Sequence, residues 1–454
     1  MNFGLLTLLP AVLVIATAII TKRTTGALLV GVVASYLIIG GITEFIPKTT
    51  DAFFSVVTDY DTMWLVFVCG LFGSLIALLN ASKGTHAIAR FLGKICKTGK
   101  STLLVSWLLG IIIFVDDYMN ILTISACTRR LSDKRKVPRE ALAYVIDSTG
   151  APVCVLLPFS TWAIFFSGVF FEQDSIKNLG YGTAMQTYIH AIPFMFYAMA
   201  AVIIVPLFIV GVIPKIGAMK KAYKRVNETG AVYSKSSDKL NEFLKEDDNE
   251  KSSIWDFIIP IAVMIIVQLI FDDMFWAVCA SILSGALLYI PRKKLKPGKF
   301  CDLIFKGFAD TVPALAIIIM ALLMRKASSD LNLPNYVVDM IKPFVDAHLF
   351  PMLAFITVSL LGFITGSNWG IPAVCAPIII PLGAAVDANL LLVMAAIVCG
   401  GTFCSHACFY SDATVITSNA CGIENMDHVY TQLPYALIAF AVSCLAFLAF
   451  GFIV

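Results

Sequence analysis

Charge is what this chain of 454 residues has least of: Asp, Glu, Lys and Arg together make up 14% of it, against 59% hydrophobic residues and a mean hydropathy of +0.87. Soluble domains carry about 25% charged residues, so there is too little polar surface here to coat a water-facing globule. The charges present nearly balance, 33 Lys+Arg against 30 Asp+Glu, which excludes the broad basic footprint of a nucleic-acid binder. Zinc and disulfide frameworks are missing too. The twelve Cys show no CxxC pair and no Cys/His zinc spacing, and Cys69, Cys279, Cys375, Cys399 and Cys444 fall inside apolar runs as small apolar side chains. Neither HExxH nor GxSxG occurs and no acid is paired with an obvious nucleophile, so neither an enzyme nor a cofactor is expected. The amino terminus lacks a basic n-region. Its first positive charges, Lys22 and Arg23, follow the apolar stretch to Ile20, which predicts a retained first helix.

What is present is apolar sequence in membrane-length runs. A bilayer-crossing helix needs about 20 predominantly apolar residues, and 3–20, 26–46, 62–80, 188–213, 254–271, 274–290, 309–327 and 433–454 meet this. Two other units do not. Residues 101–115 stop at Asp116 and Asp117, and a short second limb leads to Arg129; residues 351–365 stop at GSNWG, 366–370, and a second limb runs from Ile371 to Val386.

Charge placement decides what these units are. Basic clusters lie at 22–23, 83–100, 129–139, 214–253 and 292–306, and the positive-inside rule wants all of them on the cytoplasmic side. That holds only if 101–128 dips in and returns from the cytoplasm, and by the same count 351–386 enters from the outside. Each hairpin precedes a broken apolar segment, 141–171 and 389–418. A shift of 251 sets Asp117 on Asn368, Tyr118 on Trp369, Gly150 on Gly401 and Ser160 on Ser411. The predicted fold is therefore an all-α polytopic membrane protein with about ten crossing helices, some broken, and two re-entrant hairpins in an inverted-topology repeat. Its expected divisions are N-terminal helices 1–61, repeat one 62–213, a cytoplasmic linker 214–253, connecting helices 254–308 and repeat two 309–454. The linker reads as a solvated tether, mobile in its Ser-rich middle. The chain is expected in the cell membrane, contacting lipid and no nucleic acid, with both termini outside.

Non-helical backbone survives at membrane depth only where protein buries it or it lines an aqueous cavity, so the hairpin tips and helix breaks point to one central cavity. Oxygen-bearing side chains gather there: Asp116, Asp117 and Asn120; Asp147, Ser148 and Thr149; Thr365, Ser367 and Asn368; Ser405, Ser411, Asp412 and Thr414. Such oxygens suit a hard cation. An ionised Asp at this depth costs about 2.5–3.5 kcal/mol, and no Lys or Arg lies in the tips or breaks, Arg325 and Lys326 being read as helix-end residues. The counter-charge is then a proton or a bound cation, with Na+ expected at Asp117, Asp147, Asn368 and Asp412. The plainer role for Asp117, Asp147 and Asn368 is to tie off half-helices as N-caps, the lesser reading for any one of them and less still for the set, because helix ends can be capped without four acids at depth. His406 is either a hydrogen-bonded packing residue or a titrating group, and the other histidines, His428 among them, read as helix-end residues. Tyr118, Trp162, Thr365 and Trp369 are candidates to line the path, with wall packing the plainer role for both Trp.

The segments FVDDYMN (114–120), RRLSDKRKVPREALAYVIDSTGAPVCVLLPFSTW (129–162), GSNWGIPAVCAPIIIP (366–381), GGTFCSHACFYSDATVITSNACG (400–422) and DHVYTQLPYAL (427–437) resemble the NhaC-type sodium/proton antiporter family. The resemblance covers both repeats. It implies paired hairpins, broken helices, elevator-like alternating access, often a homodimer, and Na+/H+ exchange, some similar proteins moving small organic acids or amino acids instead. By motif position, Asp116, Asp117, Asn120, Asp147, Ser148, Thr149, Ser367, Asn368, His406, Ser411, Asp412 and Thr414 match its polar cluster. One departure stands out: where the family reads Gly-Asp-His-Cys-Ser-Pro-Ile-Ser-Asp, this chain has Cys404-Ser405-His406-Ala407-Cys408-Phe409-Tyr410-Ser411-Asp412. A possible carboxylate carrier is lost at Ser405, which raises the weight of an organic solute as cargo.

Overall fold

A computed structural model describes residues 3–21, 24–114, 116–158, 160–171, 173–244, 253–271, 273–333, 336 and 346–453, and helices are the only regular elements among them. The reason is the solvent: hydrocarbon leaves no partner for a free backbone N–H or C=O, and a helix satisfies both within one segment. Four helical stretches, Thr25–Val57, Thr62–Ala81, Leu390–Cys421 and Asn425–Ile453, are long and apolar enough to cross a membrane. Three bent pairs also qualify: Arg139–Leu156 with Thr161–Phe171, Ala184–Phe194 with Phe196–Val210, and the two halves of Pro297–Asp330. Shorter apolar helices include Gly4–Val14, Trp255–Gln268 and Met274–Tyr289, and three hairpin limbs. The chain is thus an all-helical membrane protein with broken helices.

Both sequence halves follow one order. A long helix (Tyr60–Ala81; Pro297–Asp330) leads to a helical hairpin (Gly99–Ile112 with Asp117–Lys134; Phe350–Thr365 with Gly370–Ala385). A broken helix follows (Arg139–Leu156 with Thr161–Phe171; Leu390–Ala407 with Asp412–Cys421), and then a closing helix. The two long helices cross backbone to backbone. A Cβ on Gly73 would sit 2.4 Å from Gly307 O, and one on Gly307 would sit 2.5 Å from Gly73 O, the small-residue contact by which membrane helices approach closely. At the centre lies Leu390–Ala407, buried at every position from Leu392 to Ala407.

Each hairpin tip is closed by side chains of its own neighbourhood. Asn120 Nδ2 donates to Gly110 O (2.7 Å) and Ile113 O (2.6 Å), tying off the first limb's orphan carbonyls, and Asp116 caps the second limb by accepting from Met119 N at 3.0 Å. In the second hairpin Gly366 takes the left-handed conformation (φ +68°) that ends the limb, and Ser367 Oγ accepts from Gly370 N at 3.1 Å.

Three local features depart from expectation. The second limb of the first hairpin runs on to Lys134, carrying Arg129 and Arg130 as helical residues. The helix of the 26–46 run does not stop with its apolar residues but continues to Val57, with Gly41 (φ 61°, ψ −168°) redirecting it without ending it. The linker is not a solvated tether over 214–244; its residues 245–252 lie outside the described ones. Gly217–Thr229 buries Met219, Ala222 and Val226, and Arg225 grips the buried Glu140 through two 2.8 Å bonds. The Ser-rich middle is docked: Ser234 and Ser236 donate to the Asp427 carboxylate, and Ser237 Oγ accepts from Glu424 N. Asn241 Oδ1 accepts from both Arg129 and Arg139 at 2.5 Å, while its Nδ2 donates to Gly422 O at 2.9 Å. Sequence polarity suggested solvent, but the partners of this segment are buried ions and unsatisfied helix-end backbone groups.

Candidate functional site

The break between Ala407 and Asp412 builds the first polar group. Ser411 caps the helix Asp412–Cys421, accepting from Thr414 N, and donates to Ser405 O at 2.7 Å. Asp412, half-buried in the first turn, is where the two hairpins meet: its Oδ2 accepts from Tyr118 of the first at 2.5 Å and its Oδ1 from Asn368 Nδ2 of the second at 2.8 Å. Asp117 lies within electrostatic reach of both Asp412 and Asp116. Neither Asp117 oxygen, fully buried, is in well-formed hydrogen-bond geometry with a described residue; the Trp162 indole N–H, likewise without a well-formed bond, is the donor that lies beside it. Such orphaned oxygens are costly unless something else satisfies them.

Asp147 belongs to a second group. Its Oδ2 takes His428 Nε2 at 3.0 Å, Gln432 Nε2 at 2.6 Å and Thr414 Oγ1 at 3.4 Å. Thr414 also donates to Ser405 O at 3.0 Å, so Ser405 serves through its backbone, whereas its Oγ is buried without a partner among the described residues. His406 lies between Ser148 Oγ and Tyr197 OH, each at 2.8 Å. Because the Ser148 hydroxyl donates to Tyr144 O at 2.6 Å, its oxygen accepts from His406 Nε2–H, and Tyr197 donates to Nδ1. His406 is thus a hydrogen-bonded imidazole with both ring nitrogens held by hydroxyls.

These contacts sort the expected residues. None of the three candidate caps is one: Asp117 sits inside a turn capped by Asp116, Asp147 ends a helix, and the Asn368 side chain reaches Asp412. Asn120, Thr149 and Thr365 bond backbone carbonyls and hold the tips and breaks in shape. The four expected Na+ ligands do not converge, since Asp147 stands in a different set of contacts from Asp117, Asn368 and Asp412. Among the described residues no group of three or more His, Cys, Asp or Glu is placed to hold a metal. Trp162 and Trp369 pack on each other (centroids 4.6 Å apart) with Phe165 and Phe166, a wall rather than a stacking slot.

Four residues with a part here are not candidates from sequence: His428, Gln432, Tyr197 and Arg325. The signal for the first two was an i, i+4 pair within DHVYTQLPYAL, which sets both on one helix face. Arg325 corrects the expectation of acids without basic partners. Its helix continues to Asp330, and its guanidinium lies against the second hairpin: a Cβ on Gly370 would be 2.8 Å from Arg325 Cζ. Asp412 is within its electrostatic reach. A cavity of about 420 Å³ opens between the two long helices, the first hairpin and Asp412–Cys421. Its wall includes Cys69 and Leu122, and Cys69 is within electrostatic reach of Asp412.

The Na+/H+ antiporter family model matches residues 153–452, so the chain belongs to that family. The match takes in Asn368, His406 and Asp412 but begins after Asp116, Asp117 and Asp147. An uncharacterized protein of Haemophilus influenzae is 25% identical over 98% of this chain and 90% of its own length. Two shorter likenesses are an uncharacterized Na(+)/H(+) antiporter of the same organism, 28% identical over 33% of this chain and 32% of its own, and the malate-2H(+)/Na(+)-lactate antiporter of Bacillus subtilis, 27% identical over 24% and 23%. Among solved structures, Neisseria gonorrhoeae MtrF, from work on antimetabolite efflux pumps, superposes with a TM-score of 0.39 at 13% identity over 91% of this chain and 85% of its own. The Alcanivorax borkumensis YdaH transporter does so with a TM-score of 0.39 at 12% identity, over 91% and 89%. The protein is thus a transporter of the antiporter kind.

Proposed function

We propose that the chain is a secondary active antiporter that exchanges Na+ for H+ by alternating access, with Asp412 and Asp117 as the central carriers and Asp147 a third. The observation that carries this reading is the position of Asp412, one half-buried carboxylate bonded by both hairpins at once. A carboxylate there exchanges its donors for a cation or a proton, and either change is felt at two tips of opposite repeats. Tyr118, Asn368 and the orphaned oxygens of Asp117 complete a set of hard ligands. In everted vesicles or proteoliposomes, a Na+ pulse should dissipate an imposed pH gradient. No response from correctly inserted protein at any pH from about 6 to 9, the range bracketing a neutral-pH switch, sinks the reading. Asp117→Asn and Asp147→Asn should abolish exchange while leaving insertion intact.

A second reading is Na+- or H+-coupled movement of a small organic acid or amino acid. It is favoured by Ser405, whose Oγ stands unpartnered where the family pattern has a carboxylate. Thermal-shift screening of such solutes with and without Na+ separates the two, since only a ligand of the folded state stabilises it. We further propose a homodimer in the cell membrane with both termini outside. Native mass spectrometry in lipid reads the oligomer, and terminal reporter fusions read the orientation.

A further inference from the structure

Arg325 is a basic side chain within electrostatic reach of the Asp412 carboxylate. It stands on Pro297–Asp330, a helix packed chiefly on Tyr60–Ala81 and Thr24–Val57, outside the hairpin core. It is exposed, and its guanidinium makes no hydrogen bond or ion pair among the described residues. The next residue, Lys326, is by contrast spent on Asp330. Arg325 is directed at the second hairpin tip, where Cζ and Nη2 each lie 2.8 Å from the point a Gly370 Cβ would occupy, and Ser367 Oγ lies 2.6 Å from the same point. The lack of a side chain at Gly370 is what admits the guanidinium to this corner.

A second observation points the same way. The cavity between the two long helices, whose wall includes Cys69 within electrostatic reach of Asp412, is lined by Arg129, Arg130, Lys239 and Lys306, with Asp310 as its one acid. A cleft lined by an excess of one sign concentrates the opposite charge. This approach favours anions, which is the wrong sign for a path serving Na+ alone.

We propose that Arg325, with the Ser367–Gly370 tip, binds the carboxylate of a small organic anion, the solute exchanged by this transporter. The proposal rests on the second reading above and names its cargo class. A planar guanidinium offers paired donors matched to a carboxylate, which an ammonium does not. The geometry also supplies coupling. The anion would lie near the Asp412 carboxylate, so a cation or proton on Asp412 removes the repulsion and each ligand favours the other. Because Arg325 and the tip belong to differently packed elements, relative movement of the two would open the site.

The test is thermal stability of the purified, full-length protein in lipid nanodiscs, titrated with Tris salts of succinate, L-lactate and glycine, each in NaCl and in choline chloride. Succinate or lactate should raise the melting temperature, more in NaCl. Arg325→Gln should weaken that response about tenfold or more, and Arg325→Lys should fall between, since it keeps the charge without the fork. Lys326→Gln should match wild type. The inference is overturned if no carboxylate stabilises the wild type in either salt, or if both Arg325 variants respond as wild type does. The shift caused by NaCl alone, without carboxylate, tests the cation reading separately.

Discussion

Adding one methyl group at Gly401 tests whether the hairpin tip must sit where it does. A Cβ there would lie 2.6 Å from Asn368 O and 2.7 Å from Pro372 Cγ, whereas an ordinary C···O contact is about 3.3–3.6 Å, so the neighbours must give by about 0.7–1 Å. The helix bearing Gly401 cannot retreat: it is buried along its length, and Gly400 leaves only 2.6 Å to Val358 for a Cβ of its own. The tip moves instead, and the Asn368–Asp412 bond stretches from 2.8 Å to about 3.5 Å, where it no longer counts as a hydrogen bond. A displaced Asn368 can no longer turn its amide oxygen to a cation held by Asp412, and a lost interaction with a charged group is worth about 1.5–3 kcal/mol, roughly a ten- to hundredfold loss of cation affinity. Overpacking itself lowers stability by about 1–3 kcal/mol. Everted vesicles carrying Gly401→Ala should need ten- to hundredfold more Na+ for half-maximal dissipation of a pH gradient, at normal protein levels. Gly168→Ala, with nothing within 4 Å of the added carbon, should match wild type. A wild-type Na+ dependence in Gly401→Ala would refute the claim that the tip position sets the site.

Tyr118→Phe removes the 2.5 Å bond to Asp412 and should raise the Na+ half-saturation by about tenfold or more; an unchanged Na+ titration would show that this hydroxyl takes no part in cation binding. His406→Gln should leave the shape of the transport pH profile unaltered, because both ring nitrogens are already bonded by neutral hydroxyls, and a displaced limb of the profile would reveal that His406 titrates. Glu140→Gln breaks the paired bond to Arg225, whose side chain is 23% exposed, and should lower stability by about 2–3 kcal/mol, less than a fully buried pair. Differential scanning fluorimetry and limited proteolysis of 230–244 check it, the segment becoming more susceptible if the pair is what docks it.

The helices, hairpins and breaks were legible because apolar length and the placement of a few charges constrain a membrane chain severely. Asp412 and Asn368 could be singled out for the same reason: polar side chains in such runs are conspicuous. Their division of labour was not. Asp116 and Asp117 are adjacent, and only the backbone decides which caps the helix and which is left with bare oxygens. Arg325 was misjudged because counting apolar residues ended the span at 327, whereas the helix continues through a polar turn to Asp330. His428 was passed over because a histidine near a helix end is ordinary until the partner, Asp147, is brought beside it from 281 positions away. The docking of the Ser-rich stretch 234–241 left no trace in composition, since its contacts run through serine hydroxyls, one neutral amide and backbone atoms.

The stretch joining the halves is a stitch rather than a leash. Arg225 and Val232 bind Glu140 and Arg139 of the first half, Ser234 and Ser237 bind Asp427 and Glu424 of the second, and Asn241 joins Arg129 and Arg139 of the first to Gly422 of the second. The first half therefore carries its own recognition sequence for the second. If the chain is severed after the docked segment and its parts are produced as two polypeptides, 1–244 and 253–454 should find each other and reassemble. The covalent link would then matter for stoichiometry and not for shape.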